Sequence, residues 1–268
     1  MQKSKIEWTD FTINPVKGLC PMACPYCYAR AMYKRFRWNP EIRLEVDSFL
    51  PFLETTKIKP SRIFVGSTME LFGDWVKPEW MQFIFERVKL LSEHTFIFLT
   101  KQPQNLKKWS PFPDNCWVGV SLDLRENAYG EHLLSPFNVV DHLHLIEAKV
   151  KFLSFEPLMN SLCIGFRPRW WSDEFYKAGI NWLIIGAETK SGKVVKAHAP
   201  KVEWIKEIVE AADKAGVPVF LKDNLNSIFA QNDCDGFNHN KQLFKVIDNF
   251  PTRYHLRQEF PELKEVCK

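Results

Sequence analysis

Three of the chain's seven cysteines, Cys20, Cys24 and Cys27, fall within eight positions in the stretch CPMACPYC. A thiolate is both a nucleophile and a soft metal ligand, so three at this spacing pose a question of stoichiometry. A disulfide takes two and a structural zinc site takes four. Pro21 and Pro25 force the stretch into a loop, which argues against thiols that serve as simple core filler. Zinc would need a fourth ligand. No His or Cys follows closely, and Cys116 opens an apolar run, which puts it at the far end of a strand. An iron–sulfur cubane ordinarily takes four thiolates, so three would leave one iron open to a cofactor or substrate. Spacing alone leaves zinc, buried thiols and an open cluster as competing readings.

The elements that would position such a loop are readable as alternation. Short apolar runs recur at RIFVGS (62–67), TFIFLT (95–100), CWVGVS (116–121), KFLSFE (151–156), NWLIIGAE (181–188) and VPVFLK (217–222), each the pattern of a strand buried on both faces. Between them, PEWMQFIFERVKLL starts with Pro78 and repeats apolar residues at Trp80, Ile84, Val88 and Leu91, which predicts an amphipathic helix. A second is predicted at KVEWIKEIVEAADKAG through Val202, Ile205, Ile208, Val209 and Ala212, stopping at Gly216, and a third over 135–148. Strand–helix repeats of this length call for a parallel sheet with right-handed crossovers. The fold class expected is therefore α/β, a full or partial parallel TIM-like barrel of six or seven strands in a single domain spanning 1–268. Residues 28–57 read as an elaborated first crossover and 224–268 as a C-terminal extension.

In such a fold the chemistry sits where the strands end. The residues at which each apolar run turns polar are Ser67, Thr68 and Glu70; Thr100 and Lys101; Ser121 and Asp123; Ser154 and Glu156; Glu188; and Lys222 with Asp223. Polar strand ends near water are ordinary. Glu156 and Glu188 stand out because each directly follows a buried run.

CPMACPYC after FTINPVKGL resembles the signature loop of the radical S-adenosylmethionine (radical SAM) superfamily. KIEWTD, NPVKGLC, FVGSTMELFGDWV, FLTKQP, VGVSLD, FEPL, IIGAET, VPVFLKDNL and RQEFP extend the likeness over nearly the whole chain, to a phage-associated radical SAM group of unsettled function. The resemblance implies a 4Fe-4S cluster on Cys20, Cys24 and Cys27 that chelates SAM at its open iron. SAM would be cleaved reductively to a 5'-deoxyadenosyl radical, with a donor such as flavodoxin or ferredoxin supplying the electron. It also implies Tyr26 beside the adenine, Gly66, Ser67, Thr68 or Glu70 near the methionine, and Ser121 and Asp123 near the ribose. GSTMELFGD lacks the doubled glycine usual at that place in the superfamily. Glu156, Glu188, Lys101 and Lys222 remain as residues facing the target, or as mutually neutralising charges at the barrel mouth.

ARAMYKRFRWNPEIR interleaves Arg30, Lys34, Arg35, Arg37 and Arg43 with Tyr33, Phe36 and Trp38, and FRPRWW repeats the mixture. Cations among flat rings suit phosphates and stacked bases; an ordinary helix with a solvated cationic face is the plainer reading. The expected target is thus a nucleic acid or nucleotide. A peptide, protein or metabolite is the alternative, and a noncatalytic metal-stabilised binding protein is a third reading. The net charge of +4, from 36 basic and 32 acidic residues, is too small to decide among them. The chain has no apolar leader and no stretch near the roughly 18 apolar residues of a membrane span, which predicts a cytoplasmic protein without a membrane partner. An odd number of cysteines argues against a disulfide framework. Cys116, Cys163 and Cys234 read as buried thiols, with Cys163 the better candidate to return hydrogen to a product. The seven histidines, including His142 and His144, show no metal-binding or acid-pairing spacing.

Overall fold

Fully buried runs form the strands and one-sided apolar helices connect them, as the alternation requires. The structure, a computed structural model, describes residues 2–53, 58–126, 134–162, 168–189, 198–231, 243–246 and 254–262. In chain order the elements are β1 Gln2–Lys3, β2 Phe11–Ile13, β3 Val16–Lys17, α1 Tyr28–Phe36, β4 Arg43–Leu44, α2 Leu50–Leu53, β5 Arg62–Val65, α3 Pro78–Leu90, β6 Thr95–Thr100 and β7 Cys116–Ser121. They continue with α4 Pro136–His144, β8 Val150–Phe155, α5 Pro168–Ala178, β9 Ile180–Ile185, α6 Val202–Ala215, β10 Val219–Leu221, α7 Asn226–Gln231, β11 Phe244–Val246 and β12 Tyr254–Leu256. The main sheet runs β1-β2-β5-β6-β7-β8-β9-β10. β1 is its antiparallel edge; β2 with β5, β5 with β6, β6 with β7, and β9 with β10 pair in parallel. This is the α/β fold of a partial parallel barrel, with seven strands in the parallel set.

The chain divides into two compact units, Met1–Ser121 with Leu145–Lys151 and Thr189–Ala197, and Leu122–His144 with Phe152–Glu188 and His198–Lys268. In the first, every residue of β7 is buried, and Ile63, Phe96, Ile97 and Phe98 are fully so. α3 begins with Pro78 and buries Met81, Ile84, Phe85 and Val88 against them, with Phe85 5.5 Å from Phe98. Trp80, expected on that face, is half-buried, and Lys77 lies over its ring. Cys116 starts β7 in the core, where burial pushes its thiol pKa up, so it packs as an apolar group.

In the second unit α6 buries Val202, Ile205, Ile208, Val209, Ala211 and Ala212 and ends at Gly216 in the left-handed conformation, whose N–H caps Ala212 and Asp213. The third predicted helix is shorter than the expected 135–148, ending at His144. β10 has its outer edge covered: Leu221 N–H donates to Arg257 O at 2.7 Å and Glu259 N–H to Val219 O at 3.0 Å, with Phe220 bridging Gln258 antiparallel. Arg257 is held by Asp213 at 2.6 Å and Glu259 at 2.8 Å. The RQEFP segment thereby satisfies an edge that would otherwise invite pairing with another chain. Among the described residues no helix is long and apolar enough to cross a membrane.

Candidate active site

The thiol loop lies between β3 and α1 in the first unit, and its course is built by backbone contacts. Gly18 adopts φ +132°, and a Cβ there would stand 2.6 Å from Glu41 O and 2.7 Å from Ile42 Cα, so the loop can approach the 41–42 segment only through a glycine. Gly18 N–H donates to Tyr33 Oη at 2.7 Å, and Arg30 Nη1 donates to Cys20 O at 2.8 Å, tying the loop to α1 at two points. Ala23 takes a left-handed φ of 49°, and Cys27 N–H donates to Cys24 O in the turn that leads Cys27 to the N-cap of α1. All three thiols are half-buried, and none is in a disulfide.

Cys20 meets the strand ends directly. The backbone N–H groups of Glu70 and Met22 donate to its sulfur, while burial, the stronger influence, raises its pKa. Glu70 is 8% exposed, and its carboxylate accepts from Phe72 N–H at 3.0 Å, Thr100 Oγ1 at 2.7 Å and Lys101 N–H at 2.7 Å. Burial again outweighs these donors and raises its pKa. Lys101 Nζ donates to Ser121 Oγ at 2.6 Å and lies 5.6 Å from the centre of the Tyr26 ring. Gln102 Nε2 reaches Met22 Sδ at 2.9 Å. Glu70, Lys101 and Ser121, expected from scattered strand ends, are therefore gathered beside the thiol loop, Glu70 at Cys20 and Lys101 at the loop's own Tyr26.

Ser67 and Thr68 are organised by a residue the sequence reading passed over. Asn14, at the end of β2, accepts from Thr68 N–H and Thr68 Oγ1 at 3.0 Å through Oδ1 and donates through Nδ2 to Ser67 Oγ at 3.2 Å. Tyr28 Oη donates to Ser67 O at 2.7 Å. The position of Asn14 just before Pro15, at a strand end, was the available signal. Gly66 needs no cofactor to explain it: φ is +83°, and a Cβ would meet Leu71 Cδ1 at 2.7 Å.

The second unit carries a separate polar group at the ends of β8, β9 and β10. Glu156 Oε1 and Lys222 Nζ are 2.6 Å apart with side chains 18% and 17% exposed, and Ser154 Oγ donates to Glu156 Oε2 at 3.0 Å. Gly186 makes room for the pair, since a Cβ there would press Lys222 Cδ at 2.9 Å and Glu156 Oε1 at 3.2 Å. Glu188 has a different partner, the backbone N–H of His198 at 2.6 Å. Asp123 is held by Arg125, through its N–H at 3.1 Å and Nε at 2.9 Å, and Asp223 accepts from Gln258 at 3.1 Å. Asn224 and Ala187 exchange two hydrogen bonds, a clamp that sequence did not signal. Cys163 and Cys234 lie outside the described residues.

Among the described residues, no group of three or more His, Cys, Asp or Glu could hold a metal ion. A cubane asks for something different, because each thiolate meets its own iron instead of converging on one ion. The donor set fits that group: three thiols on one loop, backbone N–H groups already directed at a sulfur, and the N-terminus of α1 at Cys27, whose positive end favours an anionic cluster.

Residues 3–240 match the model of a family described as "Protein of unknown function (DUF5131)". A comparison with curated proteins finds no match. Among solved structures, the chain is similar to a spore photoproduct lyase mutant with bound AdoMet and dinucleoside spore photoproduct, at 13% identity and a TM-score of 0.45, covering 80% of this chain and 63% of that one. A second spore photoproduct lyase mutant gives 15% identity and 0.45, covering 96% and 71%. A fructose-1,6-biphosphate aldolase described as putative, from Coccidioides immitis, gives 14% and 0.34, covering 83% and 71%.

Proposed function

We propose that this chain, which belongs to the DUF5131 family, is a radical SAM enzyme whose target is a nucleic acid or nucleotide. The observation that carries the reading is the gathering of Glu70, Lys101 and Ser121 beside a loop of three thiols and its Tyr26 ring. When bound, a 4Fe-4S cluster would pass one electron from a flavodoxin- or ferredoxin-type donor to SAM, splitting the sulfur–C5' bond into methionine and a 5'-deoxyadenosyl radical that takes hydrogen from the target.

Cys20, Cys24 and Cys27 would hold the cluster, and the N–H donors at Cys20 offset charge on its sulfur. Lys101 has the charge to bind the methionine carboxylate, with Ser121 and the Tyr26 ring fixing where its Nζ sits. Glu70 already accepts three hydrogen bonds, and a carboxylate has room for about four, which leaves one site for the methionine ammonium. Ser67 and Thr68 are held by Asn14, and Ser67 O accepts from Tyr28 Oη at the start of α1. Glu156 and Lys222 form the candidate acid–base group of the second unit, with a proton held on Lys222 Nζ against Glu156 Oε1. Glu188 is assigned a positioning role, since it holds the 198 backbone.

The test is anaerobic purification, iron and acid-labile sulfide analysis, reduction, and measurement of 5'-deoxyadenosine formed from SAM. Cys→Ala at Cys20, Cys24 or Cys27 should each abolish cluster and product, whereas Cys116→Ala should retain both. A protein that binds stoichiometric zinc and no sulfide would refute the proposal.

A further inference from the structure

The end of α1 carries a surface that neither the core nor the thiol loop accounts for. Phe36 and Trp38 are 52% and 42% exposed, yet they stack on each other at 5.5 Å and 23°. Arg35 lies 5.3 Å over the Phe36 ring, and Trp38 meets the buried Tyr33 edge-on at 5.3 Å. The backbone is bent to make this stack. Arg37 adopts a left-handed conformation, φ 51° and ψ 41°, costly for a residue with a side chain, and Trp38 N–H then caps Tyr33 O at 3.2 Å. Tyr33 in turn accepts from Gly18, so the stack is fastened to the segment that enters the thiol loop. Lys34, Arg35 and Arg37 are exposed, and none is ion-paired with a described residue. Arg30, expected among these cations, instead belongs to the loop through Cys20 O.

We infer that this stack is the docking platform for a single strand of nucleic acid, with a base against the exposed part of the Phe36–Trp38 pair and phosphates on Lys34, Arg35 and Arg37. Aromatic faces bind any base and unpaired cations bind the backbone, a combination that suits single strands, whose bases are open to stack. Cations that form no ion pair with a described residue complement a polyanion. The inference rests on the proposed function for its biological target, but strand binding is measurable without the radical reaction.

The experiment is fluorescence anisotropy of the full-length protein with a labelled mixed-sequence DNA strand of about 20 nucleotides, the same RNA and the DNA duplex, over a salt series. The single strands are expected to bind more tightly than the duplex. Trp38→Ala should weaken it by about 5- to 150-fold, while Trp38→Phe keeps most of the affinity and controls for folding. Replacing Lys34, Arg35 and Arg37 together by Gln should reduce the slope of log K against log salt by about 2. Wild-type binding by Trp38→Ala, an unchanged salt slope in the triple variant, or tighter binding of the duplex than of either single strand would each overturn the docking site. Measured on the same preparation, SAM cleavage without strand binding overturns this site and leaves the cluster reading standing. Strand binding without SAM cleavage does the reverse.

Discussion

Replacing Glu70 tests the frame on which the candidate cofactor site is built. Its carboxylate takes Phe72 N–H and Thr100 Oγ1 on Oε1 and Lys101 N–H on Oε2, so one buried side chain joins the loop after β5 to the end of β6. Glu70→Gln keeps a single acceptor oxygen. If that oxygen stays with Phe72 and Thr100, the new amide faces the Lys101 N–H, donor against donor. If it flips, Phe72 N–H is the donor left over. Either way a buried N–H goes unsatisfied, at about 1–3 kcal/mol, and the remaining bonds lose their charge assistance. One effect opposes this: burial, the dominant influence on Glu70, disfavours the ionised carboxylate, and a neutral amide escapes it. Desolvation relief is spread over the side chain, while the donor conflict is local and cannot relax. The expected net loss is therefore about 2 kcal/mol, roughly 30-fold in the folding equilibrium, and Glu70→Ala should cost about 3–5 kcal/mol. Thr100→Val should lose about 1–2 kcal/mol, and a double-mutant cycle between positions 70 and 100 should show coupling of about 1 kcal/mol. The measurement is urea unfolding of metal-free protein, reading the midpoint at constant slope. A Glu70→Gln midpoint indistinguishable from wild type would refute the account of Glu70 as the acceptor that holds these loops.

Two further outcomes follow from the packing around other groups. Gly186→Ala should push Lys222 away from Glu156 and reproduce the loss of activity of Glu156→Gln, while Glu156→Gln combined with Lys222→Met should fold with near-wild-type stability, because removing both charges leaves neither one buried alone; thermal unfolding and product assays of the three proteins check this, and an active Gly186→Ala with an intact melting profile contradicts it. His94 is 1% exposed, accepts from Ser61 N–H through Nδ1, and has its pKa lowered by burial, so the folded state binds its proton later than the unfolded state does as pH falls. Its contribution to stability is full above the unfolded pKa of about 6.5 and is lost as pH drops through the lowered value; His94→Gln should flatten the stability curve between about pH 7 and pH 5, and parallel curves would show that another group controls it.

Strand positions were legible because burial on both faces leaves continuous apolar runs, as in β7, and helix limits were legible where Pro78 and Gly216 mark them. The thiol loop was legible as composition. What sequence could not supply was partnership. The strand-end charges looked alike in one dimension, and the fold sorts them by strand order: Lys101 goes with Ser121 and Tyr26, Lys222 with Glu156, and Glu70 with three donors from the loops beside it. Asn14, an unremarked residue before a proline, became the organiser of Ser67 and Thr68 because β2 is hydrogen-bonded to β5. The coverage of β10 by residues 257–259 was hidden for the same reason, since an edge is defined by its neighbours and not by its own residues.

That sorting bears on mechanism through what each lysine can still do. Lys222 spends its charge on a carboxylate 2.6 Å away in a largely enclosed place, where an added anion would compete with Glu156 and an added proton acceptor would find a donor already polarised. Lys101 donates to the Ser121 hydroxyl, a neutral partner, and its charge also acts on the Glu70 carboxylate, so an incoming carboxylate could join it at the Ser121 contact without displacing an anion from that contact. Anion binding and proton exchange place opposite demands on a lysine, and these two meet them with different neighbours. Lys101→Met should therefore be distinguishable from Lys222→Met by SAM affinity alone, the first raising its Kd and the second leaving it unchanged. Equal losses of SAM affinity in the two variants would mean that the neighbours do not decide the roles.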